Sequence, residues 1–441
     1  MALVERHLFT TVDLAAAALV GSELTYARAS AATFHDSAGV LKLASSGTER
    51  TAAHYFDGAD WNNHGILLEG AARTNLAIYS EQMDNSTGWP VLARVTISAD
   101  TIIAPDGETT ADSILETTDT NTHHPNSAAV TVIADNYQIG SIFFKQLGRT
   151  HAALSFFGTG VIDAKALFDL SDGTVEATTG DDFISAGIED VGDGWFRCWV
   201  CLRDSAVVSL QMLPHTNEDG VSIIDSYSGD VTKGVYAWGA MIEDVGAVEP
   251  GGPSSYVKTV ASAVSRAADT LSTPVIDSDD GTLYVRGMRA WPNPGTDMVL
   301  AALDDGTDRN DEIALIEDAT DQKIDAQSTI TTGNAGLVEA IGSALINGTE
   351  FEAALAWNGT NNDLNAAVDG ASGTEDTTAD FPLTTSFDAL RFSDNIDADM
   401  PYFGFITEIA LFDEDKGAAW LLNPVFITGM SRIGLKIGLG V

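Results

Sequence analysis

Punctuation limits what this chain can fold into more than any motif does. Its apolar runs are short and bounded by turn signals, with 41 glycines in 441 residues. Between residues 76 and 268 the runs are Val91–Ile97, Ala128–Val132, Tyr137–Gln146, Ala153–Phe157, Ala164–Leu170, Trp195–Leu202, Val207–Leu213 and Val235–Ile242. Asp172-Gly and Asp193-Gly supply turns between them. Short runs bounded in this way predict strands of a sandwich. No helix-length periodic stretch alternates with them, which argues against an α/β sheet. After Pro250-Gly-Gly-Pro253 the style repeats, from Gly281–Ala290 through Met298–Leu303, Glu312–Ile316, Leu337–Ala340, Glu352–Trp357, Asp363–Asp369 and Ala389–Phe392 to Phe405–Phe412. The expected fold is all-β: two antiparallel β-sandwich (jelly-roll) domains after a small N-terminal attachment region. The expected boundaries are 1–75 for that leader, 76–270 and 271–426 for the sandwiches, and 427–441 for an apolar tail. Within the leader, Leu14–Leu19 reads as a short helix capped by Asp13, and Ile66–Glu69 as a strand.

Charge narrows the function. The chain has 64 Asp and Glu against 22 Lys and Arg, a net −42. Such a surface repels phosphate backbones, so no nucleic-acid partner is expected. No apolar run is long enough to span a bilayer, and the N-terminus lacks the basic stretch of a secretory signal, so no membrane insertion is expected. Cys198 and Cys201 have C-x-x-C spacing, but they fall in a strand, where i and i+3 point to opposite faces. A redox or zinc pair is therefore not expected, and synthesis in a cytoplasm fits. In this acidic chain the tail stands out, carrying Arg432, Lys436 and no acid. It could dock on its own subunit, dock on a neighbouring one, or remain a free end.

Several stretches carry a resemblance. Tyr26-Ala-Arg-Ala-Ser-Ala-Ala-Thr-Phe34 is followed by Gly65-Ile-Leu-Leu-Glu-Gly-Ala-Ala-Arg-Thr-Asn-Leu76. Farther on come Ala104-Pro-Asp-Gly-Glu, Gly194-Trp-Phe-Arg197, Val235-Tyr-Ala-Trp-Gly-Ala-Met-Ile-Glu243 and Val264-Ser-Arg-Ala-Ala-Asp269. Over residues 24–270 this resembles phage tail-fibre and other virion structural proteins, whose domain is similar to a carbohydrate-binding-module jelly roll. An extra Gly-Ala separates Glu69 from Arg73. The part after residue 281 resembles a concanavalin A-like, or laminin-G-like, sandwich. The resemblance implies a virion structural protein (tail fibre, spike or head fibre) made in the host cytoplasm. It implies a homo-oligomer, with a trimer as the family form, that contacts other virion proteins and takes a host-surface polysaccharide as its target. A free carbohydrate-binding protein or adhesin is the alternative, and a polysaccharide-degrading enzyme a further one.

Candidate residues follow. Arg28, Glu69, Arg73 and Asn75 form the structural motif. Arg73 offers a fork of donors beside Thr74 and Asn75, and Glu69, four positions earlier, is expected to pair with it and pin the leader to the sandwich. Trp195, Trp199 and Trp238 are expected in cores. For glycan binding, Trp357 with Asn358, Asn361 and Asn362 combines an aromatic face with amides, and Trp61 with Asn62, Asn63 and His64 is a second such set. For calcium, a possible cofactor, Asp394, Asp397 and Asp399 sit in a loop, as do Asp277, Asp279 and Asp280 and also Asp304, Asp305 and Asp308; a solvated acidic surface is the plainer reading of each. No catalytic residues are assigned and no enzyme activity is expected. None of the His residues has a recognisable catalytic spacing, and among so many acids a carboxylate pair carries no information.

Overall fold

The computed structural model describes residues 12–13, 25–159, 163–218, 220–224, 226–274, 280–293, 295–304, 306, 311–330, 336–381, 389–392, 400–412, 415 and 417–422. The protein is all-β, and the strand pairs among the described residues are antiparallel. The helix expected at Leu14–Leu19 and the tail 427–441 lie outside the described residues.

The first sandwich packs a six-stranded sheet on a five-stranded one. The larger sheet runs Val95–Ile102, Ala111–Glu116, Gly234–Gly246, Tyr137–Leu147, Trp195–Arg203, Phe183–Asp190. The smaller runs Val130–Thr131, Ser209–Asn217, His151–Gly158, Lys165–Asp169, Thr174–Thr179. Period-two alternation sets the faces. In Trp195–Arg203, the residues Phe196, Cys198, Val200 and Leu202 join the core between the sheets. Trp195 belongs to a second cluster on the outer face, with Phe143, Trp238, Met241 and Tyr256. Both cysteines are free and buried. Burial pushes both thiols up, that of Cys201 to about 12, so neither is a nucleophile at neutral pH.

The run Val91–Ile97, expected as one strand, is two. Arg94 adopts a positive φ of 59° and separates Val91–Ala93 from Val95–Ile102. The first piece pairs with His124–Asn126, the second with Ala111–Glu116.

The second sandwich also has two sheets, and the leader feeds both. In one, Phe403–Phe412, Asp280–Arg289, Glu350–Asn358 and Asp363–Val368 lie side by side, and Val12–Asp13 and Ile66–Glu69 both pair with Phe403–Phe412. In the other, Thr25–Ala27 pairs with Thr270–Pro274 at one edge of a seven-stranded sheet. The first sandwich is therefore inserted in the sequence of the second. Its entry strand Arg73–Asn75 pairs with its exit strand Val264–Arg266, so it hangs from a two-stranded ribbon.

Asn75 seats that ribbon on the first sandwich. The strand Gly234–Gly246 bulges at Gly239, which has a φ of 65° and lies so close to Phe143 that a Cβ would sit 2.9 Å from its ring. The bulge frees Ala240: its N–H donates to Ser80 O (2.9 Å) and its carbonyl accepts from Asn75 Nδ2 (3.0 Å). Asn75 Nδ2 also donates to Val257 O (2.8 Å), and Asn75 Oδ1 accepts from Ile242 N (3.1 Å) and Ala77 N (3.0 Å). Asn75→Ala strands these buried backbone groups. It is expected to lower the stability of the first sandwich by roughly 3 kcal/mol or more, read as a lower urea midpoint; an unchanged midpoint would contradict this role.

Candidate functional site

Where entry and exit meet, five charged side chains are buried together. Arg50 Nη1 donates to Glu69 Oε2 (2.6 Å) and to Thr33 O (3.0 Å), and Arg50 Nη2 is paired with Asp269. Arg28 Nη1 lies 3.1 Å from Asp269 Oδ1, and Arg266 Nε lies 3.5 Å from Glu69 Oε2. The remaining acceptor capacity is filled by backbone and hydroxyl donors. Glu69 N donates to Asp269 Oδ2 (2.8 Å), while Ser255 N and Ser255 Oγ donate to Glu69 (2.8 and 2.6 Å). Two carboxylates thus serve three guanidinium groups, all out of water. Burial pushes the Glu69 carboxyl up, but Arg266, Arg50 and the Ser255 bonds outweigh it and hold the group well below the usual carboxylate range.

The expected pairing of Glu69 with Arg73 does not form. Spacing of i and i+4 brings side chains together on a helix, but these residues sit in successive strands, Ile66–Glu69 and Arg73–Asn75. Arg73 is half-buried, with its guanidinium over the Phe403 ring at 5.6 Å. Arg28 and Glu69 lie inside the charged cluster, and Asn75 holds the ribbon.

The leader between these strands folds as two hairpins, Ala32–His35 with Leu41–Ala44 and His54–Phe56 with Trp61–Asn63. Asp36 Oδ1 accepts from Ala38 N (2.9 Å) and Val40 N (3.0 Å) to close the first turn. Gly39 completes it with a φ of 74°, and a Cβ there would lie 2.4 Å from Trp61 Nε1. The first turn thereby abuts the ring of Trp61, which also stacks on His35 at 4.8 Å and lies 5.2 Å from Phe56. Burial pushes the His35 imidazole down to about 4, so it is an uncharged ring at neutral pH.

The hairpins, the outer face of the first sandwich and the second sandwich together line a small, partly open cleft of about 60 Å³. Phe34, Tyr55, Phe56 and Trp61 line it from the leader, Phe143 and Tyr256 from the first sandwich, and Trp291 and Phe405 from the second. Two charged groups reach this aromatic wall, Arg197 and Glu189, which are opposite each other on neighbouring strands. Arg197 is only 5% exposed; its guanidinium lies over the Phe143 ring at 5.5 Å, and Nη2 donates to Ser141 Oγ at 3.1 Å. Glu189 stands exposed at the rim. Burial pushes the Arg197 guanidinium down, and Glu189 and Glu243 pull it back. An aromatic, apolar lining with a few polar groups is the composition of a small-ligand site.

The first glycan set lies elsewhere. Trp357 is 3% exposed and belongs to the core of the second sandwich, so its ring offers no face to a sugar. It sits in Glu350–Asn358, where alternation turns it inward between two sheets. Asn358, Asn361 and Asn362 form the turn that follows, and Asn358 Oδ1 accepts from Asn361 N at 3.0 Å. The second set meets the cleft through Trp61, while Asn63 Nδ2 is used on Thr51 O and Ala53 O (2.8 and 2.9 Å). Arg197 was visible only as part of Gly194-Trp-Phe-Arg, whose strand alternation places it beside Trp195 on the outer face. Asp394, Asp397 and Asp399 lie outside the described residues, as do Asp277, Asp279, Asp305 and Asp308. Asp304 is buried and pairs with Arg391 at 2.6 Å. Among the described residues there is no group of three or more His, Cys, Asp or Glu arranged to hold a metal ion.

No protein-family model matches the chain, and no curated protein matches it in sequence. Solved structures do. The CBM40 module of a Ruminococcus gnavus IT-sialidase, bound to α2,3-sialyllactose, is 12% identical over 32% of this chain and 80% of that one, with a TM-score of 0.27. The NanB sialidase of Streptococcus pneumoniae is 14% identical over 34% of this chain and 26% of that one, with a TM-score of 0.27. Domain 4 of AbnA, an arabinanase of Geobacillus stearothermophilus, in complex with arabinotriose, is 14% identical over 41% of this chain and 89% of that one, with a TM-score of 0.30. These neighbours are carbohydrate-binding modules and sialidase or arabinanase domains with β-sandwich folds.

Glu69→Gln leaves Arg50 and Arg266 short of a buried counter-charge and is expected to cost about 3–5 kcal/mol. Because the folded carboxyl titrates below its ordinary value, its contribution is complete above about pH 4 and is lost as the pH falls through the folded value. Acid-unfolding curves of the two proteins should therefore converge at low pH, and a constant offset down to about pH 2 would contradict the pairing.

Proposed function

We propose that this chain is a carbohydrate-binding structural protein of a bacteriophage virion, a tail fibre, spike or head fibre, and that the three-way cleft is where it takes a host-surface glycan. The observation that carries the binding part is the cleft itself. Aromatic rings from three parts of the chain line one partly open space, with a guanidinium and a carboxylate among them. Apolar sugar faces stack on such rings, and ring hydroxyls bond to such polar groups. The virion part rests on the sequence resemblance over residues 24–270. The partners in this reading are other virion proteins and copies of the chain itself, as a homotrimer assembled in the host cytoplasm.

The reading is of binding without turnover. Glycoside hydrolysis needs two carboxylates flanking the scissile bond, and Glu189 is the one carboxylate among the described residues that line the cleft.

Two measurements test it. Trp61→Ala and Trp291→Ala, each at a half-buried position, are expected to weaken binding to host-surface polysaccharide by about tenfold or more in calorimetry, with no release of reducing ends by the unaltered protein. Undiminished binding by both variants would remove the cleft from the account. Light scattering of the full chain is expected to give the mass of a trimer; a monomer would favour a free carbohydrate-binding protein.

A further inference from the structure

Building on the reading of the cleft as a glycan site, we infer that its ligand is an acidic sugar, of the uronic- or ulosonic-acid kind, whose carboxylate is held by Arg197. Six arginines are buried in the described structure: Arg28, Arg50, Arg149, Arg197, Arg266 and Arg289. Five of them meet a carboxylate: Arg28 and Arg50 at Asp269, Arg149 at Glu116, Arg266 at Glu69 and Arg289 at Glu317. Arg197 is the exception. Its protein partners among the described residues are Ser141 Oγ and the weak acceptor Met241 Sδ, both at Nη2. Its buried Nε has no hydrogen-bond partner, as is also true of Arg50 and Arg266, which differ in having a carboxylate in contact. Glu189 and Glu243 act on Arg197 only at a distance, and a desolvated guanidinium with no carboxylate in contact is costly.

The nearby acids are engaged or set apart. Glu243 accepts from Ser254 Oγ (2.7 Å) and Ser254 N (3.2 Å), and Glu69 is held in the charged cluster. Glu189 stands at the exposed rim, beyond salt-bridge distance of Arg197. The other titratable groups on the cleft wall, His35, His54, Tyr55 and Tyr256, include no second carboxylate. A ligand carboxylate entering between the aromatic rings would give Arg197 the counter-charge that each other buried arginine already has, while the sugar ring stacks on the wall.

The test is a printed array of neutral and carboxylated oligosaccharides probed with the full chain, followed by titration of the strongest binder and of its carboxyl-reduced form. Every bound glycan is expected to carry a carboxylate, and reduction should weaken binding at least tenfold. Arg197→Gln should bring the acid form down to the level of the reduced one. Glu189→Gln changes an exposed residue and does not threaten the fold; by removing a like charge at the rim it should tighten the acid form several-fold. Binding of neutral glycans, or of acid and reduced forms alike, would overturn the carboxylate inference and leave the glycan reading standing, as would weaker acid binding by Glu189→Gln. Binding to no member of the array would overturn both.

Discussion

Five buried charges hold the two sandwiches in one arrangement. Arg28 and Arg50 come from the leader, Glu69 from the strand that enters the ribbon, and Arg266 and Asp269 from the stretch that leaves it. Ion pairs out of water gain little net stability over apolar packing, but removing one partner is expensive. Such a cluster therefore selects geometry: the register of entry and exit strands brings two carboxylates to three guanidinium groups. The first sandwich, more than 180 residues of inserted chain between Asn75 and Val264, is fixed at its root.

The cleft follows from that root. Its wall is drawn from hairpins lying between Arg28 and Glu69, from the outer face of the first sandwich and from the rim of the second. None of these carries the site alone. Thr33 shows the coupling most simply: its carbonyl accepts from Arg50 at 3.0 Å, and it also lines the cleft. Ser255 behaves likewise, donating twice to Glu69 and facing the same space.

Period and punctuation made most of the strands legible. Trp195–Arg203 and Phe403–Phe412 could be read directly, because alternation reports a local backbone state. What could not be read was which strands share a sheet. Ile66–Glu69 was evident as a strand, yet nothing local says that its partner is Phe403–Ile406, over 330 residues away. The same limit misled the pairing of Glu69, whose partners Arg50 and Arg266 are distant in sequence while Arg73 is near. Trp357 failed for a different reason. An aromatic beside asparagines describes a sugar platform and equally a core residue preceding a turn, and the alternation of its strand decides for the core. Arg197 stands in the Gly194-Trp-Phe-Arg motif, but its want of a carboxylate in contact is a property of three-dimensional surroundings.

Amide hydrogen exchange across the ribbon tests the central claim most directly. The N–H groups of Glu69, Ser255 and Asp269 donate to Asp269 Oδ2, Glu69 Oε1 and Glu69 O at 2.8, 2.8 and 2.9 Å. If the charged cluster joins the sandwiches into one unit, these amides should exchange only by global unfolding, with the same free energy as core strands such as Ile139–Phe144 and Leu283–Val285. Exchange at the ribbon by local opening, with both cores still protected, would show that the sandwiches are independent and that the cleft between them is not a fixed site.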